Sequence, residues 1–259
     1  MAFRDNSTLI STATVFNVLA NNADDVYDSD VIGNAVAFVI ENGLVGDDTF
    51  LNFTSNDSIL NSTKIFDGNG DGFVAFGPNG VLDIDRTTNN NAGPDQLQVV
   101  GVIELRYLNE KSGNHVYADA DTLRNLFDTF GQSNVVEGDV GDDNIDLSSG
   151  AKVLLHDNAL GLNLGSDTVT GFGDDDLFVT TSLLFDNTGN GVVTFGGNDV
   201  LDTSGAEGPQ ESDPSTGPGG QVDFAGIDGL AYLGTNEIDG VTYYYYGTET
   251  TTVNPFDEA

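Results

Sequence analysis

An internal repeat is the feature of this sequence that most restricts its fold. Residues 46–83 align with residues 165–202 without a gap at an offset of 119, and 16 of the 38 aligned positions are identical. The likeness continues downstream, where VVGVIELRYL at 99–108 corresponds to FAGIDGLAYL at 224–233. A repeat of this kind indicates one structural unit present twice. The chain is therefore expected to contain two homologous units, residues 1–119 and 120–259.

Both halves have the pattern of β-strands. Short runs such as FVAF at 73–76, LFVT at 177–180 and VTYYYY at 241–246 are rich in β-branched and aromatic residues and are bounded by Gly, Asn and Asp. This composition is typical of strands joined by turns. The predicted fold class is mainly β, with two homologous units that are sandwich- or roll-like.

A short amphipathic helix is expected at the start of each unit. In the second unit the helix lies between Asp119 or Asp121, which would cap it, and Gly131, which would end it. Its apolar face is formed by Leu123, Leu126, Phe127 and Phe130. TVFNVL at 14–19 resembles TLRNLF at 122–127, so the first unit is expected to begin with a helix too.

The loops and the C-terminus are polar. Residues 203–221 form a long Gly-, Pro- and Ser-rich surface loop in the second unit, and residues 85–96 form its shorter counterpart. The N-terminal residues lack an apolar run long enough for a secretory signal peptide. If the chain is exported, its acidic C-terminal tail is the place to look for an export signal.

The charge excludes some partners. The chain has 42 acidic and 7 basic residues, for a formal net charge of −35. Self-repulsion on this scale opposes a compact state unless bound cations or high salt offset it. Nucleic acid and anionic membranes are not expected partners, because binding phosphates takes clusters of Lys and Arg. With no cysteine, there is no disulfide, thiolate catalyst or zinc–thiolate cluster.

The stretch FDGNGDGFVAFGPNGVLDID at 66–85 contains a calcium-loop pattern. Asp67, Asn69 and Asp71 alternate with glycines, which directs three side-chain oxygens and the carbonyl of Phe73 toward one point. The twelfth position is Pro78 instead of Glu, so a helix-loop-helix site is excluded. A calcium loop in a β-hairpin stays open, with Asp83 or Asp85 available to complete the shell. The alternative is a Gly/Asn/Asp turn without metal.

The second copy of this loop has fewer charged ligands. Asp186 aligns with Asp67 and keeps the first carboxylate. Thr188 replaces Asn69, and Asn190 replaces Asp71. Fewer carboxylates mean weaker calcium binding. The first loop is therefore expected to hold the ion more tightly than the second.

Three further acidic clusters lie near these hairpins. Carboxylates this close in sequence require solvation or cations between them. They are Asp47, Asp48 and Asp57; Glu137, Asp139, Asp142, Asp143 and Asp146; and Asp167, Asp174, Asp175 and Asp176. From these clusters we take Asp139, Asp142, Asp143, Asp174 and Asp176 as further candidate calcium ligands. For any single Asp, a solvated charge run is the alternative.

Two segments resemble the Gly- and Asp-rich RTX calcium-binding proteins of bacterial type I secretion. GDVGDDNIDL at 138–147 resembles the nonapeptide GGxGxDxUx, and SDTVTGFGDDDLFV at 166–179 looks like the DxIxxFxxGDDxIxL segment that often follows it. The resemblance covers about 25 residues. It implies parallel β-roll turns with calcium between them, export without an N-terminal signal peptide, and Asp139, Asp142 and Asp143 at ligand-like positions. A β-roll needs a tandem array of nonapeptides, which this chain lacks.

Signals of catalysis are few. His115 and His156 lie outside any catalytic or metal-binding motif. The tyrosines at 243–246 are compatible with stacking on sugars or with ordinary packing. A carboxylate pair for glycoside hydrolysis stays open.

The leading hypothesis is a secreted, non-enzymatic calcium-binding protein. It would serve as a structural, adhesive or surface-layer component and would self-assemble through exposed strand edges. The first alternative is a carbohydrate-binding or carbohydrate-active extracellular protein. The second is an acid-rich protein of a saline habitat without specific metal sites.

Overall fold

The computed structural model describes residues 16–19, 21–32, 35–40, 46–86, 95–209 and 213–256. Strands dominate these ranges, which confirms the mainly β prediction. No helix among the described residues is long and apolar enough to cross a membrane. The chain divides into two compact units, Met1–Asp121 and Thr122–Ala259.

The first unit consists of two sheets. Its strands are β1 Phe16–Leu19, β2 Val26–Asp28, β3 Val36–Ile40, β4 Asp48–Leu51, β5 Ser58–Asn61, β6 Phe73–Ala75, β7 Leu82–Asp83, β8 Gln96–Val99, β9 Glu104–Lys111 and β10 Asn114–Asp119. The six-stranded sheet has the order β1-β3-β5-β10-β9-β6, and the four-stranded sheet has the order β2-β4-β8-β7. A four-residue helix, α1 Ser29–Ile32, follows β2.

The first five strands of the first unit wind back and forth between its two sheets. Strands β1 to β5 alternate between the two sheets, and each new strand pairs in parallel with the one before it in the same sheet. This is a roll-like geometry, and antiparallel strands complete both sheets. β3 reads VAFVI and is buried throughout, as expected of a parallel strand covered on both faces.

The second unit has the same strand order. Its strands are β11 Val135–Glu137, β12 Asn144–Asp146, β13 Val153–His156, β14 Ser166–Thr170, β15 Leu177–Thr180, β16 Val192–Thr194, β17 Leu201–Asp202, β18 Gln221–Phe224, β19 Gly229–Ile238 and β20 Val241–Gly247. They form sheets of order β11-β13-β15-β20-β19-β16 and β12-β14-β18-β17. Each strand therefore occupies the place of the strand ten numbers earlier. Short 3₁₀ helices lie at Gln132–Asn134, Asn158–Leu160 and Pro214–Thr216.

The predicted helix of the second unit is confirmed. It is α2, Asp121–Phe130, with Leu123 and Leu126 buried and Gly131 at a φ of 84° just beyond its end. The helix predicted at the start of the first unit is wrong, because residues 16–19 form β1, which pairs in parallel with β3. The likeness of TVFNVL to TLRNLF is out of register with the repeat. In sheet order, β1 corresponds to β11 instead.

Aromatic rings fill the space between the two sheets of each unit. In the first unit the rings of Phe38 in β3 and Phe50 in β4 stack with centroids 3.9 Å apart. In the second, Phe178 in β15 meets Phe224 in β18 edge to face at 5.2 Å. All four side chains are at most 1 % exposed. Fully burying one such side chain stabilises the fold by about 1.5 to 3 kcal/mol.

A tyrosine hydroxyl in each core accepts a backbone hydrogen bond. The oxygen of Tyr117 accepts from Ile65 N–H at 2.8 Å, and that of Tyr246 accepts from Leu184 N–H at 2.9 Å. Tyr117→Phe and Tyr246→Phe each leave a buried N–H unpaired, so each is expected to lower the free energy of unfolding by roughly 1 to 3 kcal/mol. Urea denaturation measures this. The control is Tyr232→Phe, whose ring is 36 % exposed; an equal loss in the control would contradict the prediction.

Candidate functional site

The first predicted calcium loop is closed by the carboxylate of Asp67. Its Oδ1 accepts N–H bonds from Asn69 at 3.1 Å and Gly70 at 2.9 Å, and its Oδ2 accepts from Gly72 at 2.9 Å. Asn69 Nδ2 donates to Asp71 Oδ2 at 2.8 Å. Both oxygens of Asp67 therefore hold the backbone of the turn, and Gly70 and Gly72 supply its positive φ angles of 73° and 85°.

The second loop is built in the same way. Asp186 Oδ1 accepts from the N–H groups of Thr188 and Gly189, and Oδ2 accepts from Gly191, all at 2.8 to 2.9 Å. The N–H of Gly191 is the largest cause that lowers the pKa of Asp186. Asn190 Oδ1 accepts from Val192 N–H, just as Asp71 Oδ1 accepts from the N–H of Phe73. These four backbone N–H bonds of the turn are thus the same with and without the second carboxylate.

Other predicted ligands of the first loop lie in neighbouring strands. Phe73 begins β6 and pairs with Arg106 of β9. Asp83 ends β7, where Asp85 is its hydrogen-bonded neighbour. The pKa of Asp85 is raised to about 6. Burial is the largest cause, and the hydrogen bond to Asp83 and the charges of Asp83 and Asp95 add to it. The structure therefore groups Asp83 with Asp85 and Asp95.

Asp174 and Asp176 have different surroundings. Asp176 is 1 % exposed, and its carboxylate accepts from the N–H groups of Lys152 at 2.7 Å and Gly173 at 2.8 Å. Burial raises the pKa of Asp176. Asp174 is exposed and accepts from the hydroxyls of Thr248 and Thr250, which lower its pKa. Asp176 therefore fixes a turn, while Asp174 binds the chain after β20.

Asp139, Asp142 and Asp143 come together with Asp167; we call these four residues the second acidic corner. Asp143 N–H donates to Asp167 Oδ1 at 3.0 Å, Ser166 N–H donates to Asp142 Oδ1 at 2.9 Å, and Asp139 N–H donates to Asp143 Oδ2 at 2.7 Å. The first two bonds join two successive turns of the roll, and the third lies within one turn. Asp167 is 3 % exposed. Burial, reinforced by the charges of Asp143, Asp139 and Asp142, raises the pKa of Asp167 to about 7.

The first unit has an equivalent that the sequence analysis missed. Asp24, Asp25, Asp47 and Asp48 form the first acidic corner, in which Asp25 N–H donates to Asp48 Oδ1 and Asp47 N–H donates to Asp24 Oδ1, both at 3.0 Å. The signal was present: ADDVYD at 23–28 aligns with GDDNID at 141–146. In the sequence, Asp47 and Asp48 stand out only as members of an acidic cluster, and Asp24 and Asp25 do not stand out.

Asp48 has the most buried side chain of the first acidic corner. It is 2 % exposed, and its Oδ2 is buried without a hydrogen-bond partner. Burial is the largest cause that raises the pKa of Asp48 to about 6, and the charges of Asp25, Asp24 and Asp47 add to it. Leaving a buried carboxylate oxygen unpaired is costly.

A histidine distinguishes the second corner from the first. His156 Nδ1 lies 3.9 Å from Asp167 Oδ2. Its Nε2–H donates to Gly219 O at 2.7 Å, which fixes the neutral tautomer, and burial lowers the pKa of His156 to about 4. The matching position in β3 is Ile40 by strand register. His115, in the first unit, meets the hydroxyl of Tyr107 through Nδ1 at 2.8 Å.

Comparisons with known proteins assign no family. No protein-family model matches the chain. None of the curated proteins and none of the solved structures compared with it is significantly similar. Among the described residues, no three His, Asp or Glu side chains are arranged so that they could hold a metal ion.

The tyrosines at 243–246 do not form an exposed platform. Tyr243, Tyr245 and Tyr246 are at most 1 % exposed. Tyr243 donates its hydroxyl hydrogen to Thr122 O at 2.9 Å, and Tyr245 packs between Phe130 and Phe256. Both faces of β20 are covered, so these three rings serve the core and are closed to sugars.

Proposed function

We propose that this chain is a secreted, non-enzymatic structural protein whose acidic corners bind calcium. The observation that carries the proposal is Asp48, whose buried Oδ2 has no hydrogen-bond partner and has three other carboxylates as its electrostatic neighbours. A cation would supply the missing partner and offset the mutual repulsion of Asp24, Asp25, Asp47 and Asp48. The second corner places Asp167 in a corresponding position.

The residues of the first corner suit a calcium ion. Calcium takes six to eight oxygen ligands in flexible geometry, and carboxylates are its usual protein ligands. The backbone bonds draw on Oδ1 of Asp24 and Oδ1 of Asp48. Asp24 and Asp47 are exposed, so their side chains are able to turn toward Asp48 Oδ2. Asp25 is half-buried, and its Oδ2 accepts from Asn21 Nδ2 and from the hydroxyl of Tyr27.

An extracellular setting would suit such a site. Carboxylate sites in extracellular modules bind calcium at roughly 10⁻⁴ to 10⁻³ M, the concentration range found outside cells. The RTX-like segments and the net charge of −35 support the same setting. Once calcium screens that charge, copies of the chain would associate through exposed strand edges.

Calcium is expected to raise the melting temperature. Millimolar calcium is about one to ten times the dissociation constant of such a site, so binding to the native state stabilises by about 0.4 to 1.4 kcal/mol, which corresponds to roughly 1 to 6 °C for a chain of this size. The test is a melting curve with chelator and with millimolar calcium, together with the number of bound calcium ions per chain. Asp48→Asn, which keeps the bond from Asp25 N–H, should lose part of the gain.

Potassium chloride separates this proposal from the acid-rich protein of a saline habitat. At matched ionic strength it screens charge but does not occupy a carboxylate site. If potassium chloride raises the melting temperature of the wild type and of Asp48→Asn as much as calcium does, or if no calcium is bound, the proposal is wrong. Light scattering in the same solutions reports self-association.

A further inference from the structure

The second unit contains a cavity that the proposed calcium sites do not use. Its volume is about 380 Å³, and its lining includes Phe185, Phe195, Asn187, Asn198, Asp202 and Gln221. It lies beside the hairpin that contains β16 and reaches the segment after β17 at Pro209. A cavity of this size is within the range of small-ligand sites.

Two aromatic rings in the cavity have fixed positions. Phe185 is 39 % exposed. Gly208, at a φ of 76°, passes so close to this ring that an added Cβ would lie 3.0 Å from its Cδ1. Phe195 stacks on Phe224 of the core with ring centroids 5.9 Å apart. The exposed ring of Phe185, held in this way, offers apolar surface for the face of a ligand ring, and the partly buried ring of Phe195 lies beside it in the same cavity.

The polar side chains of the cavity are suited to hydroxyl groups. Asp202 Oδ1 accepts from Ser204 N–H at 2.8 Å and from the Ser204 hydroxyl. Its Oδ2 is buried and has no hydrogen-bond partner. Gln221 is the partner of Asp202 in the pairing of β17 with β18. A carboxylate acceptor and an amide, which donates and accepts, are therefore neighbours.

The first unit provides a natural comparison. Phe66, Phe76, Asn79, Asp83 and Gln96 stand where the second unit has Phe185, Phe195, Asn198, Asp202 and Gln221. However, the guanidinium of Arg86 lies over the ring of Phe66, with Cζ 5.4 Å from its centroid. The residue aligned with Arg86 is Gly205, at the offset of 119. The ring of Phe66 thus has a cation over it, whereas no described Lys or Arg lies over the ring of Phe185, which is 39 % exposed.

From this combination we infer that the second unit binds a neutral saccharide in this cavity. The apolar face of a pyranose ring stacks on Phe185, and its hydroxyl groups donate to Asp202 Oδ2 and exchange hydrogen bonds with Asn187, Asn198 and Gln221. A neutral ligand is favoured over an anionic one, because the described lining of the cavity contains Asp202 and no Lys or Arg. The inference is independent of calcium at the acidic corners.

Isothermal titration of the full chain tests this site. The probes are neutral hexasaccharides, namely cellohexaose, xylohexaose, mannohexaose and maltohexaose, with hexagalacturonate as the anionic comparison. We expect one neutral hexasaccharide to bind at one site per chain, both with calcium and with chelator. Phe185→Ala and Asp202→Asn should each weaken that binding at least about tenfold, as expected for a central contact.

Two further variants keep the test decisive. Asn187→Gly copies Gly68 of the first unit in an exposed turn and should also weaken binding, even if Phe185→Ala fails to fold. Phe66→Ala is the matched control and should leave binding within about twofold. The inference is overturned if no neutral probe binds, if only hexagalacturonate binds, or if Phe66→Ala weakens binding as much as Phe185→Ala.

Discussion

Asp57→Ala is expected to lower the free energy of unfolding by roughly 2 to 6 kcal/mol. The Asp57 side chain is fully buried and accepts N–H bonds from Val36 at 2.8 Å and Thr54 at 2.8 Å. It also accepts from the hydroxyls of Ser29 and Thr54. Hydroxyls can turn to other partners, but the two N–H groups cannot, and each unpaired donor costs about 1 to 3 kcal/mol.

The second unit offers a matched pair of variants for this prediction. Asp176 accepts from Lys152 N–H and Gly173 N–H, which correspond to Val36 and Thr54. Asp176→Ala should therefore cost nearly as much as Asp57→Ala. Asp174→Ala, two residues away and exposed, should change stability by at most about 0.5 kcal/mol. Urea denaturation measures all three; an equal loss from Asp174→Ala and Asp176→Ala would contradict the argument.

The sequence was informative where neighbours in the chain are also neighbours in space. Strand runs such as LFVT at 177–180 and the helix at Asp121–Phe130 were predictable, because their periodicity reflects local geometry. The hairpin turns of Asp67 and Asp186 were predictable for the same reason, since every bond that closes them lies within five residues. The prediction of a helix at the start of the first unit was wrong, because it rested on the likeness of TVFNVL to TLRNLF, which is out of register with the repeat.

The roles of the acidic residues were much less predictable. The bonds that join Asp143 to Asp167 and Asp25 to Asp48 cross between successive turns of the roll, 24 and 23 residues apart. Periodicity within a strand contains no information on this register. Asp174 and Asp176 look equivalent in sequence, yet one is exposed and the other buried. What separates them is which backbone N–H groups the fold brings near each carboxylate.

Without calcium, Asp167→Asn is expected to be more stable than the wild type at neutral pH. Burial raises the pKa of Asp167 from 3.8 to about 7. Between these values the folded state keeps a proton that the unfolded state has lost, so this residue's contribution to stability is present below about pH 4 and is lost as the pH rises toward 7. The loss is on the order of 4 kcal/mol. Asn remains neutral and retains an oxygen for Asp143 N–H.

The contribution of His156 to stability changes with pH in the opposite direction to that of Asp167. Burial lowers the pKa of His156 from 6.5 to about 4, so its contribution to stability increases as the pH rises through that window. The wild-type pH profile therefore contains two opposed contributions. The difference between wild type and Asp167→Asn largely cancels His156, which is present in both. That difference should grow from near zero at about pH 4 to roughly 2 to 4 kcal/mol at about pH 7.5.

Calcium should reverse the order of the two proteins. An ion at the second acidic corner stabilises the ionised carboxylate of Asp167, and Asn at this position contributes no charge to hold it. In saturating calcium at neutral pH, the wild type is thus expected to be the more stable protein. Urea denaturation across this pH range, with chelator and with calcium, measures both effects. If Asp167→Asn is less stable than the wild type in chelator at neutral pH, the ionised carboxylate of Asp167 does not destabilise the folded state as its burial implies. If calcium stabilises both proteins equally, the ion does not bind at Asp167.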